Sequence, residues 1–559
     1  MNKIVSDVTN KIKTDIKGCD KGSAALDLIL IIALLFFGFY VNRGIIIKGL
    51  YMDDLYMWSC YGEQSFFEYV FPIGTSTRFR PAYWLLAYLE MGLIGTHIEL
   101  FVPVNIIANT IVAILIYFFA KRLSGLRFFG FTAGILYLSS RFSYYQIGQA
   151  LGLMETEATF MALLILYLLF LSLEGQEEMR ARSKKGRVKA GHFRAALLVY
   201  FLLAFVHERY ISLLPLFFLV LIFKTAKNGD LSFREKRDLF LEPVLVFFVI
   251  FIIRKLAIGT AIPAGTGGTE VTDTFNVAEA LSFAVSQVFY IFGVNAGPEH
   301  LNGVTWADTP VNIKVFVKLG ALILSVIVFE YLLSLLLRFR GGKGEDREKF
   351  FEYVKNSLLF ILFIAMCIGC SSVTIRVEMR WIYVSYGGAL LLCAYMAGII
   401  RETFDSGAET SVFFGFPANI WKNAVSLLLC LLFFAYAMLT LSNDSFYRSC
   451  FPKLYFWPDQ LRMNSLTEQT YEKYGEDIFG RDIYILENSY GMSDFYGDTF
   501  FKTFDPERKA EGTEVHFVDS TEDIPEEKIR SGNILVIKEI PEENAYLDIT
   551  EEVTDGKSE

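Results

Sequence analysis

Residues 28–40 read Leu-Ile-Leu-Ile-Ile-Ala-Leu-Leu-Phe-Phe-Gly-Phe-Tyr, a run with no charged side chain. It lacks the two-residue alternation of a half-buried strand and the polar stripe of a surface helix. Extended outward it becomes Ala24–Ile47, long enough for the ~20 mostly apolar residues of a bilayer crossing. Similar runs recur at Val244–Ile253, Ala321–Phe329 and Leu427–Leu439. The chain of 559 residues is 53% hydrophobic, 16% aromatic and 20% charged, with a formal net charge of −9. Soluble chains average ~45–50% apolar, so the clustering of apolar residues, more than their number, decides the class. The pattern excludes a soluble enzyme, a disordered chain and a collagen-like chain. The acidic balance and the lack of a basic aromatic patch exclude a nucleic-acid binder. A multi-pass, mainly α membrane protein remains.

Eleven spans are expected, near residues 24–47, 101–120, 128–140, 150–173, 195–206, 211–223, 241–259, 311–337, 357–373, 381–400 and 421–441. Lys and Arg mark cytoplasmic loops. Basic clusters occur in the N-terminal tail (Lys3 to Lys21), at Lys121/Arg122/Arg127, from Arg180 to Arg194, from Lys224 to Arg237 and from Arg338 to Lys355. The first apolar run is too long for a signal-peptide core, which makes it a retained anchor. Keeping all five clusters on one side requires two choices. Tyr83–Gly95 must lie along the outer face as an interfacial helix. Ala195–Phe223 must be two short helices broken at His207–Tyr210, whose tip then sits below the lipid surface and lines a cavity. The N-terminus is inside and the C-terminus outside, in the plasma membrane.

Three regions follow. Residues 1–23 form a basic cytoplasmic tail. Residues 24–441 form the membrane domain, with a first outer loop at 48–100. Residues 442–559 form an extracytoplasmic domain with strands expected at Ile483–Glu487, Val515–Val518 and Ile534–Ile537, and helices at Thr467–Glu476 and Glu522–Arg530, hence a small α/β unit. This last region holds 12 Lys+Arg against 27 Asp+Glu, leaving 40 basic and 34 acidic residues elsewhere. The chain is a basic membrane body carrying an acidic outer domain.

Ionisable residues at membrane depth are costly and mark function, and four outer-face stretches carry them. The first is Tyr51-Met52-Asp53-Asp54-Leu55-Tyr56. Its Asp53–Asp54 pair is a solvated loop start, or it binds a divalent cation such as Mg or Mn, or one carboxylate acts as base while the other sets its pKa. Arg78-Phe79-Arg80-Pro81-Ala82-Tyr83 follows, its arginines suited either to lipid headgroups or to a specific phosphate. The second stretch runs from Arg141 through Tyr145 and Gln146 to Glu155. Glu155 either complements a helix N-terminus or faces the same cavity as the aspartates. The third is His207-Glu208-Arg209-Tyr210, a poor zinc site because no second His or Cys lies at helical spacing; its charges pair internally or serve the cavity. The fourth is Arg376-Val377-Glu378-Met379-Arg380-Trp381, in which Arg376 and Arg380 share a helical face, either for ordinary headgroups or for the phosphate of a lipid-linked substrate. Gly265, Gly267 and Gly268 lack the spacing and the preceding strand of a nucleotide site, and no nucleotide cofactor is expected. Arg254 and Lys255, near an outer helix end, read as snorkelling residues.

An outward Asp-Asp after the first span, an interfacial helix, many further spans and an extracytoplasmic C-terminal domain resemble the GT-C glycosyltransferases, integral-membrane enzymes that use polyprenyl-phosphate-linked sugars. Met52-Asp53-Asp54, Arg78–Tyr83, His207-Glu208-Arg209 and Arg376–Trp381 carry the resemblance. It implies a hexosyl- or pentosyltransferase with Asp53 and Asp54 as base or metal ligands and Glu155 as a loose match to a second acidic position. It also implies a substrate-binding set of Arg78, Arg80, Tyr83, Tyr145, Gln146, Glu155, His207, Glu208, Arg209, Arg376, Glu378 and Arg380. Among these, Arg209, Arg376 and Arg380 would grip the lipid phosphate. The implied partners are a polyprenyl-phosphate sugar donor, a glycan, lipid or protein acceptor and the bilayer, with no nucleic acid. The rival readings are a lipid-linked glycan flippase or transporter, for which matching broken halves are missing, and a non-catalytic scaffold, which leaves four charged clusters on one face unexplained.

Overall fold

The structure, a computed structural model, describes residues 21–47, 53–74, 78–95, 97–174, 191–227, 233–260, 276–294, 304–340, 344–373, 377–407, 418–450, 469–486, 514–540, 543 and 545–555. Among them, a helix covers each expected span. These are α1 (Lys21–Val41), then, after two outer helices α2 (Asp53–Glu63) and α3 (Phe66–Val70) and the helix α4 (Pro81–Ile94), the bundle helices α5 (Phe101–Ser124) and α6 (Arg127–Ser139). A short α7 (Tyr144–Gly148) leads into α8 (Gly152–Glu174), followed by α9 (Gly191–Leu203), α10 (Leu214–Lys227) and α11 (Phe233–Ile258). The rest are α12 (Val277–Ile291), α13 (Val311–Arg340), α14 (Gly344–Ser372), α15 (Met379–Gly407) and α16 (Ala418–Arg448). Eight segments among the described residues are long and apolar enough to cross a membrane. The chain is a multi-pass helical membrane protein.

Both topological choices have structural counterparts. Helix α4 starts with Pro81, whose fixed φ and missing N–H suit the first helical position. Its 14 residues span about 21 Å at the α-helical rise, close to the length of α6 and α9 at 13 residues each. Between α9 and α10 the α-helix is lost: residues 204–207 turn, and Glu208–Leu213 form a 3₁₀ segment. The segment between the expected spans 241–259 and 311–337, which the sequence left without an element, contains helix α12. Its Asn276 cap accepts from the amides of Ala278 and Glu279, and its buried Gln287 donates to Ser372 Oγ (2.8 Å) and accepts from Ser371 Oγ (2.6 Å). At 15 residues this helix is below spanning length, and its polar flanks hid it.

Helix α15 is central, with 78% of its apolar window buried; α1 and α16 are peripheral, at 11% and 17%. Polar bonds hold α1 at both ends. Near its start, Asp27 binds Lys121 Nζ (2.5 Å) and Arg127 Nε (2.7 Å) and accepts from Tyr117 Oη (2.5 Å). Just past its end, Arg448 of α16 donates to the Val41 carbonyl (3.3 Å) and to Asn42 Oδ1 (2.5 Å). Helix α16 runs past Ser442, and there Asp444 forms a buried ion pair with Arg141 at 2.8 Å.

The C-terminal region forms a four-stranded sheet of β1 (Asp482–Leu486), β2 (Glu514–Val518), β3 (Ile534–Ile540) and β4 (Ala545–Asp548), in the order β2-β1-β3-β4. β1 runs parallel to β2 and β3, and β4 is antiparallel to β3. The two-residue side-chain period separates two apolar faces. Tyr484, Leu486, Ile534 and Val536 cluster with Ile529 of α17 (Glu526–Ser531) and Val553 of α18 (Thr550–Asp555). Ile483, Ile485, Val515, Leu535 and Ile537 belong to the other cluster, with Ile478.

Candidate functional site

Asp53 and Asp54 open helix α2, and the structure separates them. Asp53 is exposed and lines a cavity of about 770 Å³. Asp54 is buried, and its two oxygens accept from the backbone amides of Ala150 (2.9 Å) and Leu151 (2.8 Å), just before α8. Burial pushes its carboxyl up to about 7, against the pull of those two amides. Asp54 therefore ties the turn that carries Asp53 to the start of the helix that carries Glu155. Gly152 makes this start possible: a Cβ there would stand 2.2 Å from the Gln146 carbonyl oxygen, a distance no side chain tolerates.

Glu155, fully buried in the first turn of α8, collects the cations. Arg209 Nη2 donates to its Oε2; His207 Nε2 lies 3.6 Å and Arg380 Nε 3.8 Å from its Oε1. Arg380 also pairs with Glu378 at 3.1 Å, stacks over Tyr145 at 4.3 Å and donates from Nη1 to the Tyr145 hydroxyl. Trp381 has guanidinium neighbours at 5.4 Å (Arg209) and 5.6 Å (Arg380), distances at which the ring quadrupole attracts a cation. Arg80 makes a two-pronged bond to Glu208, Nε to Oε2 at 2.8 Å and Nη2 to Oε1 at 2.7 Å, with Nη1 directed to Met154 Sδ at 3.2 Å. The 3₁₀ break places Glu208 and Arg209 here: unwound backbone at membrane depth is tolerated where it lines a cavity.

Asp53, Arg78, Arg80, Glu155, His207, Glu208, Arg209 and Arg380 all line this one cavity. Its other flank is apolar, formed by Leu214, Pro215, Phe247, Phe251, Met366 and Val373. Tyr145 and Glu378 are bonded to its wall through Arg380. Three expected residues stand elsewhere. Asp54 serves the α2–α8 junction. Tyr83 is buried beside Met57, its hydroxyl 2.9 Å from the sulfur. Gln146 is buried under the turn before α8 and is not part of the lining. Arg376 lies outside the described residues.

The set offers little to a divalent cation. Glu155 and Glu208 are committed to arginine and Asp54 to amides, so Asp53 is the one lining carboxylate with no ion pair among the described residues. A Mg²⁺ or Mn²⁺ ion here would take Asp53 and draw its other ligands from substrate phosphate oxygens and water, as Mg²⁺ commonly does. Among the described residues, the one group of three close acidic or histidine ligands is Asp482, Glu514 and His516 on the C-terminal sheet, where Lys528 already lies 2.9 Å from Asp482 and 3.9 Å from Glu514.

Sequence reasoning missed the apolar flank and Met154, which look like ordinary membrane residues. It also misread Arg254. That residue does not snorkel: it is 1% exposed. The available signal was its spacing from Phe247 and Phe251, which puts all three on one face of α11.

No family model and no curated protein matches the chain. Among solved structures it is similar to the oligosaccharyltransferase AglB from Archaeoglobus fulgidus in complex with an inhibitory peptide and a dolichol-phosphate (10% identity, TM-score 0.47, covering 94% of this chain and 70% of that one). It is also similar to ArnT from Cupriavidus metallidurans bound to undecaprenyl phosphate (9% identity, TM-score 0.45, 93% of each chain). Residue roles in this chain rest on the geometry of its own cavity.

Proposed function

We propose that the protein transfers a sugar from a polyprenyl-phosphate-linked donor to an extracytoplasmic hydroxyl-bearing or amide-bearing acceptor on a glycan, lipid or protein. One observation carries the reading: a single cavity joins an exposed carboxylate, a cluster of arginines and an apolar flank, which is the chemistry of an amphipathic phosphate donor. The isoprenoid chain lies along Phe247, Phe251 and Met366. The phosphate meets the guanidiniums of Arg78, Arg80, Arg209 and Arg380, which stabilise the charge that develops on the leaving group. Asp53 takes the acceptor proton as the acceptor atom bonds to the sugar's anomeric carbon and the carbon–phosphate-oxygen bond breaks. The products are the glycosylated acceptor and the free lipid phosphate. A divalent cation at Asp53, when bound, supplies further charge neutralisation at the phosphate. His207 stands beside Glu155, Nε2 at 3.6 Å from Oε1.

In this reading the membrane is the plasma membrane, the N-terminus is cytoplasmic and the acidic C-terminal domain stands outside, beside the acceptor. The test is transfer in detergent or liposomes from a panel of polyprenyl-phosphate sugars, with and without EDTA. The expected result is turnover with at least one donor and its loss in Asp53→Asn. Full activity in both Asp53→Asn and Asp54→Asn overturns the assignment.

A further inference from the structure

A second cavity, of about 450 Å³, lies between the ends of α1, α6 and α16. It shares no lining residue with the first. The two approach each other at one backbone step: Tyr144 lines the second, while the Tyr145 hydroxyl accepts from Arg380 in the wall of the first. Two guanidiniums line the second cavity, those of Arg43 and Arg448, and no carboxylate does. Arg43, two residues past α1, lies over the Tyr40 ring at 4.2 Å and donates from Nη1 to the Tyr40 carbonyl at 2.8 Å. Arg448 is fixed by uncharged acceptors, among them Ser143 Oγ (2.9 Å) and Asn42 Oδ1 (2.5 Å). Asp444, one turn before it, pairs with Arg141 at 2.8 Å and is not part of the lining. Neither Arg43 nor Arg448 forms an ion pair with a carboxylate among the described residues. The apolar part of the wall comes from Phe37, Tyr40, Ile45 and Leu441. It belongs to the bilayer side of the bundle, where the apolar windows of α1 and α16 are 11% and 17% buried.

We propose that this cavity binds the phosphate headgroup of an anionic glycerophospholipid of the bilayer, a structural lipid and not a sugar donor. Basic pockets between membrane helices hold lipid headgroups, and a guanidinium fork matches phosphate oxygens. The phosphate meets the remaining donors of Arg43 and lies in the field of Arg448. The acyl chains run along Phe37 and Leu441 onto the lipid-facing sides of α1 and α16. A zwitterionic headgroup fits poorly, because its ammonium would bring a positive charge back to two guanidiniums with no carboxylate in the lining to receive it. A free phosphate would leave the apolar wall uncovered. Arg43 follows α1 and Arg448 ends α16, so the bound headgroup reinforces the bond between Arg448 and Asn42. The proposal draws nothing from sugar transfer at the first cavity, and failure of either leaves the other standing.

The test is a calorimetric titration of the full-length protein in an uncharged detergent with phosphatidylglycerol, with phosphatidylcholine and inorganic phosphate as separate ligands. Wild type is expected to bind phosphatidylglycerol roughly tenfold or more tightly than either companion. Arg43→Gln, at an exposed position, removes the charge and brings phosphatidylglycerol to within about threefold of phosphatidylcholine. Ser445→Trp, at an exposed position of the lining, fills the cavity while keeping both arginines, and weakens phosphatidylglycerol binding by about tenfold. The melting temperature rises with added phosphatidylglycerol in wild type and not in Arg43→Gln, since a ligand that binds only the folded state stabilises it. Equal binding of the two phospholipids by wild type overturns the proposal. So does inorganic phosphate that binds as tightly as phosphatidylglycerol, or an unchanged phosphatidylglycerol affinity in Arg43→Gln. If Ser445→Trp does not fold, Arg43→Gln decides the point.

Discussion

Asp53 and Asp54 are consecutive, yet one carboxylate opens onto the charged cavity and the other is buried against the amides of Ala150 and Leu151. The pair divides into a chemical residue and a structural one. Asp53→Asn is expected to retain its melting temperature and donor binding while losing turnover by about a hundredfold or more, the usual worth of a general base. Asp54→Asn replaces one acceptor oxygen by a donor facing an amide, and its melting temperature falls by an amount equivalent to about 1–3 kcal/mol. Melting curves and single-turnover rates on both variants check this. The reverse assignment, a stable but dead Asp54→Asn, contradicts it.

Glu155 is the shared acceptor of the cation cluster. Glu155→Gln leaves Arg209 buried without its counter-charge, a loss typically of about 3–5 kcal/mol. The variant is expected to melt well below wild type and to be inactive even where it remains folded. Adding Arg209→Met to Glu155→Gln should recover much of the stability and none of the activity, as read by melting and transfer assays in parallel.

Glu90 gives a pH dependence of known sign. It is buried in α4, both its oxygens lack hydrogen-bond partners among the described residues, and burial with the nearby Asp54 pushes it up to about 8. Its ordinary value is 4.5, so between these values the folded protein holds a proton that the unfolded chain has lost. Stability from this group is therefore full below about 4.5 and falls as pH rises toward 8. Tyr69 and Tyr83, which also feel Glu90, stay protonated throughout. Glu90→Gln is expected to flatten the decline in melting temperature between pH 5 and pH 8, with the larger gain at the alkaline end. An unchanged slope contradicts it.

Gly369 lines the cavity from α14, and a Cβ placed on it meets nothing within 4 Å. Gly369→Leu should keep or raise the melting temperature, since Gly costs about 1 kcal/mol in a helix interior, while the new side chain occupies the apolar flank. Weaker binding of farnesyl phosphate by roughly tenfold, with no loss of folded protein, is the expected outcome.

The architecture was legible because bilayer crossing imposes length and apolarity together. The long apolar helices, eight of which among the described residues are long and apolar enough to cross, the break at His207–Tyr210 and the short helix after Arg80-Pro81 were read from that constraint plus charge placement. The strands around Ile483, Val515 and Ile534 were legible from runs of β-branched residues. Helix α12 was not, because a 15-residue helix between Gly- and Thr-rich flanks gives neither signal. At the site, eight of the expected residues line one cavity, and each had stood out as an ionisable side chain where charge is expensive. Asp54, Tyr83 and Gln146 stand apart because adjacency in sequence says nothing about which way a side chain turns on a helix. Arg254 was misread for a related reason: a cation near a helix end is ordinarily solvated, and its burial depends on tertiary packing that local sequence does not show.

The first bundle helix and the last are the least buried, and Arg448 joins them through a bond to Asn42 that spans 406 positions. Helix α1 packs Leu34 and Gly38 against α5 and α6 and carries two polar fastenings besides, one of which arrives only with the far end of the chain. The bundle behaves as a hoop whose clasp is made last. Shortening the protein before residue 418 would do more than remove α16: it would undo the clasp at Asn42, leaving the opening helix with polar fastenings at its start alone, through Asp27 and Ser23.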